Sequence, residues 1–157
     1  MLFLLPNLPG TTKIPGKFPD SFDILSKHLG GQADIIICYS VFHCGVFAPT
    51  NIFGFIDRIM QLLADGGQAI IGDIPNISKR KRFFASQNGK NFHKAFMHTD
   101  KEPEIVFNTP ELDAIDDAVL ASLVQRCQAS GCDAYIVPQA EELFFANRRD
   151  DLLIRKP

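Results

Sequence analysis

Tryptophan is absent from the 157-residue sequence, and long apolar runs are lacking as well. No uninterrupted apolar stretch approaches the roughly 20 residues that a helix needs to span a bilayer. The apolar start, residues 1–5, has no basic segment before it and is broken at Pro6, Pro9 and Gly10. A secretory signal peptide has a different pattern. We therefore expect a cytoplasmic protein without a membrane partner.

The sequence also lacks a large excess of charge of either sign. Its 16 basic and 18 acidic residues give a formal net charge of −2, so nothing attracts the whole protein to nucleic acid. The run Lys79–Arg82 is basic throughout, and such runs can bind phosphates. One short run in a mildly acidic chain is more typical of a solvated helix face. We expect a small-molecule or protein partner and no nucleic acid.

Paired metal-binding motifs are missing too. The four cysteines form no CxxC motif, and His93 and His98 have no carboxylate at a convincing ligand spacing. Zinc sites need such sets of ligands. We predict reduced thiols and no metal site.

The sequence does contain short apolar runs that alternate with helical patterns. The predicted strands cover residues 10–18, 34–40, 68–75, 133–139 and 151–157, and the predicted helices cover residues 20–31, 50–67, 76–89 and 111–131. Residues 89–110 have an irregular pattern. The β-branched run at 34–40 is typical of a parallel strand covered on both faces. The pattern predicts one α/β domain, a three-layer sandwich whose sheet is mostly parallel and ends in an antiparallel hairpin.

Polar side chains follow the predicted strands where each one ends. In open sheets of this kind, ligands bind beyond the carboxyl ends of the strands. Residues 39–43, 73–76 and 138–139 are therefore expected along one rim of the sheet. Asp73 and Asn76 either contact a substrate or cap the basic helix, and capping is favoured.

Three of these segments resemble parts of the class I S-adenosylmethionine-dependent methyltransferases. "ADIIICYSVFH" is similar to the family's fourth strand, whose end lies beside the methionine part of the cofactor. "FIDRIMQLLADGGQAIIGDIP" is similar to the following helix, its L-x-x-G-G turn and the fifth strand. The closing residues 131–157 resemble the antiparallel hairpin of the sixth and seventh strands. The resemblance implies a Rossmann-like sheet in a single partial domain, residues 1–157, that lacks the first two strands.

The family's glycine-rich loop and its ribose-binding acid have no counterpart in this sequence. The chain is thus either part of a longer methyltransferase or a degenerate form that no longer binds the cofactor, and alone it should bind S-adenosylmethionine weakly or not at all. In the family the missing strands lie beside the fourth. The strand at 34–40 would then have an open edge that pairs with a second copy, as in a homo-oligomer, or with an N-terminal segment.

The resemblance also implies roles for particular residues. The predicted cofactor contacts are Gly16, Lys17, Phe18, Tyr39, Ser40 and Val41. His43 would orient a substrate hydroxyl or take its proton, as a neutral imidazole can, although a histidine in a capping turn is an equally simple interpretation. The predicted substrate contacts are His93, Gln139 and Arg148. Arg148 and Arg149 either bind an anionic group or are solvated loop residues.

Two functions of different classes remain open at this point. The first is methyl transfer from S-adenosylmethionine to a small-molecule or saccharide acceptor. The second is a non-catalytic interaction module that is derived from a methyltransferase and has lost the cofactor site.

Overall fold

The computed structural model describes residues 4, 6–30, 32–42, 51–109 and 111–157. The helices are α1 (Phe22–His28), α2 (Ile52–Leu62), α3 (Ile77–Ala85), α4 (Gln87–Met97) and α5 (Asp117–Ala129). The strands are β1 (Ala33–Tyr39), β2 (Leu63–Pro75), β3 (Asp133–Pro138) and β4 (Arg149–Arg155). A short 3-10 turn, Ala146–Arg148, leads into β4.

The four strands form one mixed sheet in the order β1-β2-β4-β3. β1 and β2 are parallel, whereas β4 is antiparallel to both of its neighbours. The predicted α/β class and the antiparallel C-terminal pair are confirmed. The prediction of a mostly parallel sheet is wrong, because β4 enters the sheet between β2 and β3 and reverses the direction at both pairings.

Three predicted elements differ from the structure. Residues 10–18 form turns and irregular backbone rather than a strand. The helix predicted over residues 50–67 ends at Leu62, before Gly66 and Gly67. Leu63 is already extended and pairs with Ala33. Part of the segment expected to be irregular is α4, whose start is capped by the Ser86 hydroxyl accepting the Gly89 amide.

The hydrophobic core lies on the face of the sheet that α2 and α5 cover. Asn51 caps α2, because its side-chain oxygen accepts hydrogen bonds from the amides of Phe53 and Gly54. Apolar residues then recur at helical spacing, so one side of α2 is apolar. The helices and strands together bury Phe55, Ile56, Ile59, Leu120, Leu123, Ile71, Leu152 and Ile154.

The opposite face of the sheet is open along β1. Ile35 and Ile37 are 69% and 73% exposed, so the prediction that this strand is covered on both faces is wrong. Within the described ranges no helix covers these side chains, and the three-layer sandwich is not observed. Among the described residues, β1 pairs only with β2, so its other edge has no partner strand there.

None of the helices within the described residues is both long and apolar enough to cross a membrane.

Candidate functional site

Two residues with left-handed backbones mark the carboxyl ends of the parallel strands. Ser40 follows β1 with φ of 58°, and Asp73 lies near the end of β2 with φ of 61°. The register between β2 and β4 shifts at this place, between Ile71 and Ile74. Residues with β-carbons rarely adopt such angles, which cost about 1–3 kcal/mol and persist only where the surroundings enforce them. The contacts that enforce them are those of Asp73.

Asp73 connects β1, β2 and β4. Its carboxylate Oδ2 accepts a hydrogen bond from the Ser40 hydroxyl at 2.7 Å and one from Arg149 Nη1 at 3.1 Å. Arg149 Nη1 also donates to the Asp73 carbonyl, and the Asp73 amide donates to Asp151 Oδ1 at 2.8 Å. The side chains of Asp73 and Arg149 are only 13% and 14% exposed. We refer to Ser40, Asp73, Arg149 and Asp151 as the Asp73 network.

Tyr39 and Gln139 extend this network across the sheet. Gln139 Nε2 donates to the Tyr39 hydroxyl at 3.2 Å and to Asp151 Oδ1 at 2.9 Å. The Tyr39 ring lies against Gly72, where a β-carbon would overlap the ring. Partial removal from water, followed by the carboxylates of Asp151 and Asp73, raises the pKa of Tyr39, while Arg149 opposes this effect. At the rim predicted from the sequence, Gln139 thus contacts Tyr39 directly and is connected to Asp73 through Asp151.

An open groove of about 1100 Å³ runs along β1. Four of the predicted cofactor residues line it: Lys17, Phe18, Ser40 and Val41. The edge of the Phe18 ring packs on Phe55, with centroids 4.8 Å apart, and this contact holds the loop before α1 against the core. Gly16 and Tyr39 do not line the groove. Gly16 packs on Ser21, and Tyr39 packs over Gly72.

Two predicted substrate residues belong to a separate aromatic cluster. The His93 ring contacts Phe84 edge-on at 6.0 Å, and the Arg148 guanidinium lies 5.5 Å from the same ring. Gln139 instead belongs with Tyr39. His43, the predicted base, lies outside the described residues.

Sequence reasoning missed the roles of Asp73 and Asp151. Asn76 does cap α3, because its Oδ1 accepts the Lys79 amide, whereas Asp73 bonds to Ser40 and Arg149 instead of capping a helix. A signal was present: two consecutive acids, Asp150 and Asp151, enter an apolar strand and are both buried. Buried carboxylates need partners.

The described cysteines offer no reactive thiolate. Cys38, Cys127 and Cys132 are free. Burial raises the pKa of Cys38 and of Cys127 to about 11, so both thiols stay protonated near neutral pH. No group of three or more metal-ligating side chains occurs in the described part of the chain.

No protein-family model matches the sequence, and no curated protein matches it either.

The phenol of Tyr39 tests the geometry of the rim. The chain has two tyrosines and no tryptophan, so a Tyr135→Phe variant leaves Tyr39 as the tyrosine that absorbance titration follows. We expect this phenol to titrate above its ordinary pKa of about 10. Asp151→Asn should lower its pKa, because the substitution removes a nearby negative charge and keeps the shape of the side chain.

Asp65→Asn is the matched control, since the Asp65 side chain is 83% exposed near the other end of β2. It should leave the titration unchanged. A Tyr39 phenol that titrates at its ordinary pKa, or that ignores Asp151→Asn, would contradict the hydrogen bonds described for this rim.

Proposed function

We propose that the chain forms the methionine-side and acceptor-side part of an S-adenosylmethionine-dependent methyltransferase. Its acceptor is a small molecule or a saccharide. The observation that supports this proposal is the groove along β1, which gathers Lys17, Phe18, Ser40 and Val41 next to the Asp73 network. The parallel pair β1–β2 followed by an antiparallel C-terminal pair agrees with what the resemblance implies.

The chemistry of the groove suits such a cofactor. Its lining is mainly apolar, from residues such as Ile36 and Ile59, with a few polar groups, as in most small-molecule sites. Lys17 and Asp20 supply one charge of each sign in the loop that the resemblance places on the adenine side of the cofactor. The Ser40 hydroxyl donates a hydrogen bond to Asp73, so the lone pairs of its oxygen remain able to accept a bond from the amino group of the methionine part.

In this proposal, the residues of the site catalyse the reaction by positioning the acceptor. The methyl group of a sulfonium is already activated, so the main task is to hold the acceptor in line with it. His43 takes or orients the acceptor proton. Gln139, His93 and Arg148 contact the acceptor.

Titration with S-adenosylhomocysteine, followed by NMR, tests the groove. Because the sequence has no glycine-rich loop, we expect weak, roughly millimolar binding, with the largest shifts at Ser40 and its neighbours. Val41→Arg places a long charged side chain in the groove and should abolish binding. Ile24→Arg is the control, because Ile24 is 60% exposed on α1 and does not line the groove.

Circular dichroism establishes that both variants are folded. Absence of saturable binding at several times the millimolar range, or equal loss in both variants, would contradict the methyltransferase proposal. That result would favour the alternative, a non-catalytic interaction module, which the lack of a glycine-rich motif in the sequence also supports.

The partner in this proposal is a strand that pairs with the edge of β1 that has no neighbouring strand among the described residues. Ile37 is 73% exposed, and an apolar strand edge of this kind recruits other strands. A second copy of the chain should therefore add to β1, which predicts a dimer that forms with increasing concentration. Because Ile36 and Ile37 also line the groove, strand pairing and cofactor binding compete for this edge of β1. Ile37→Lys should shift sedimentation toward the monomer, whereas Ile24→Lys, an equally apolar position on α1, should not.

A chain that stays monomeric at all concentrations would contradict pairing with a second copy.

A further inference from the structure

A second cavity, of about 500 Å³, lies where α3 and β4 begin. Three arginines line it: Arg80, Arg148 and Arg149. Two carboxylates line it as well. Glu111 forms an ion pair with Lys81 at 2.9 Å, and Asp113 is exposed to solvent. The cavity therefore carries more positive than negative charge.

Arg148 has no acidic partner among the described residues. Its Nε atom is buried without a hydrogen-bond acceptor in this part of the chain. The guanidinium is instead surrounded by aromatic rings and lies 4.7 Å from Phe145, 5.1 Å from Phe92 and 5.5 Å from Phe84. Cation–π contacts offset part of its lost hydration. They do not satisfy its N–H donors, and a buried donor without an acceptor is costly.

The neighbouring arginines differ in how their charge is compensated. Asp73 accepts bonds from Arg149 and neutralises its charge. The Arg80 guanidinium lies 5.8 Å from the Phe84 ring and forms no ion pair within the described residues. Burial, followed by repulsion from Arg80 and Arg149, lowers the pKa of Arg148. Arg80 and Arg148 thus line the same cavity, and neither forms an ion pair within the described residues.

We propose that this cavity binds an anionic group, a carboxylate or a phosphate monoester, between the guanidinium groups of Arg148 and Arg80. Guanidinium groups present parallel N–H donors that match both kinds of oxyanion. The inference rests on the proposed function only in identifying the anion as part of the methyl acceptor. In that case the acceptor is a sugar acid or a phosphorylated sugar rather than a neutral saccharide.

Binding of three sugars tests the cavity. The chain is titrated with glucose 6-phosphate, with glucuronate and with uncharged glucose, and amide chemical shifts are followed by NMR. We expect saturable binding of at least one charged sugar and none of glucose. Arg148→Met and Arg80→Met should each weaken that binding at least about tenfold, because each removes charge-assisted hydrogen bonds.

Arg155→Met is the matched control, since Arg155 is exposed at the other end of β4, and it should leave the affinity unchanged. Arg80 is itself exposed, so Arg80→Met should stay folded. This variant therefore tests the cavity even if Arg148→Met unfolds. The charged sugar that binds more tightly identifies the anion as a phosphate or a carboxylate.

Absence of binding by both charged sugars would overturn the inference, as would equal binding of glucose or equal weakening by Arg155→Met. S-adenosylhomocysteine binding in the groove along β1 does not involve Arg148 or Arg80. A failed anion titration therefore leaves the proposed function untouched, and a failed groove titration leaves the anion cavity untouched.

Discussion

The hydrogen bonds of Asp73 hold the ends of three strands in one arrangement. Its carboxylate accepts from Ser40 after β1 and from Arg149 at the start of β4, and its amide donates to Asp151. These bonds offset the cost of two left-handed residues, Ser40 and Asp73. Strained backbone at adjacent strand ends, enforced by a largely buried ion pair, is a typical setting for a binding site. The rim of the sheet depends on this one carboxylate.

The same carboxylate links the two candidate binding regions. On one side, Ser40 bonds to Asp73 and also lines the groove along β1. On the other side, Asp73 neutralises Arg149, whereas Arg148, whose Nε atom is buried, has no acidic partner in the described part of the chain. Neutralising one of two adjacent arginines gives each a separate role. Arg149 supports the rim, and Arg148 contacts the aromatic cluster and lines the cavity for which we propose an anion.

Local signals made much of the fold predictable from the sequence. Asn51 and Asn76 cap α2 and α3 because an asparagine before a helical pattern satisfies free amides. The position of β4 inside the sheet is a non-local property, so the sequence did not reveal that β4 lies between β2 and β3. In α4, Phe92 and Phe96 stack four residues apart, a helical signal outweighed by the polar composition around it. The contact between Asp73 and Arg149 joins positions 76 residues apart, and no local pattern encodes it.

A double-mutant cycle between Asp73 and Arg149 measures the central interaction most directly. Asp73→Asn keeps a side chain that tolerates the left-handed backbone and removes its charge, and Arg149→Met removes the guanidinium. The free energy of unfolding is measured for the wild type, both single variants and the double variant. We expect a coupling energy of about 1–3 kcal/mol, the range for a charge-assisted hydrogen bond away from solvent. A coupling energy indistinguishable from zero would contradict the claim that this pair holds the strand ends together.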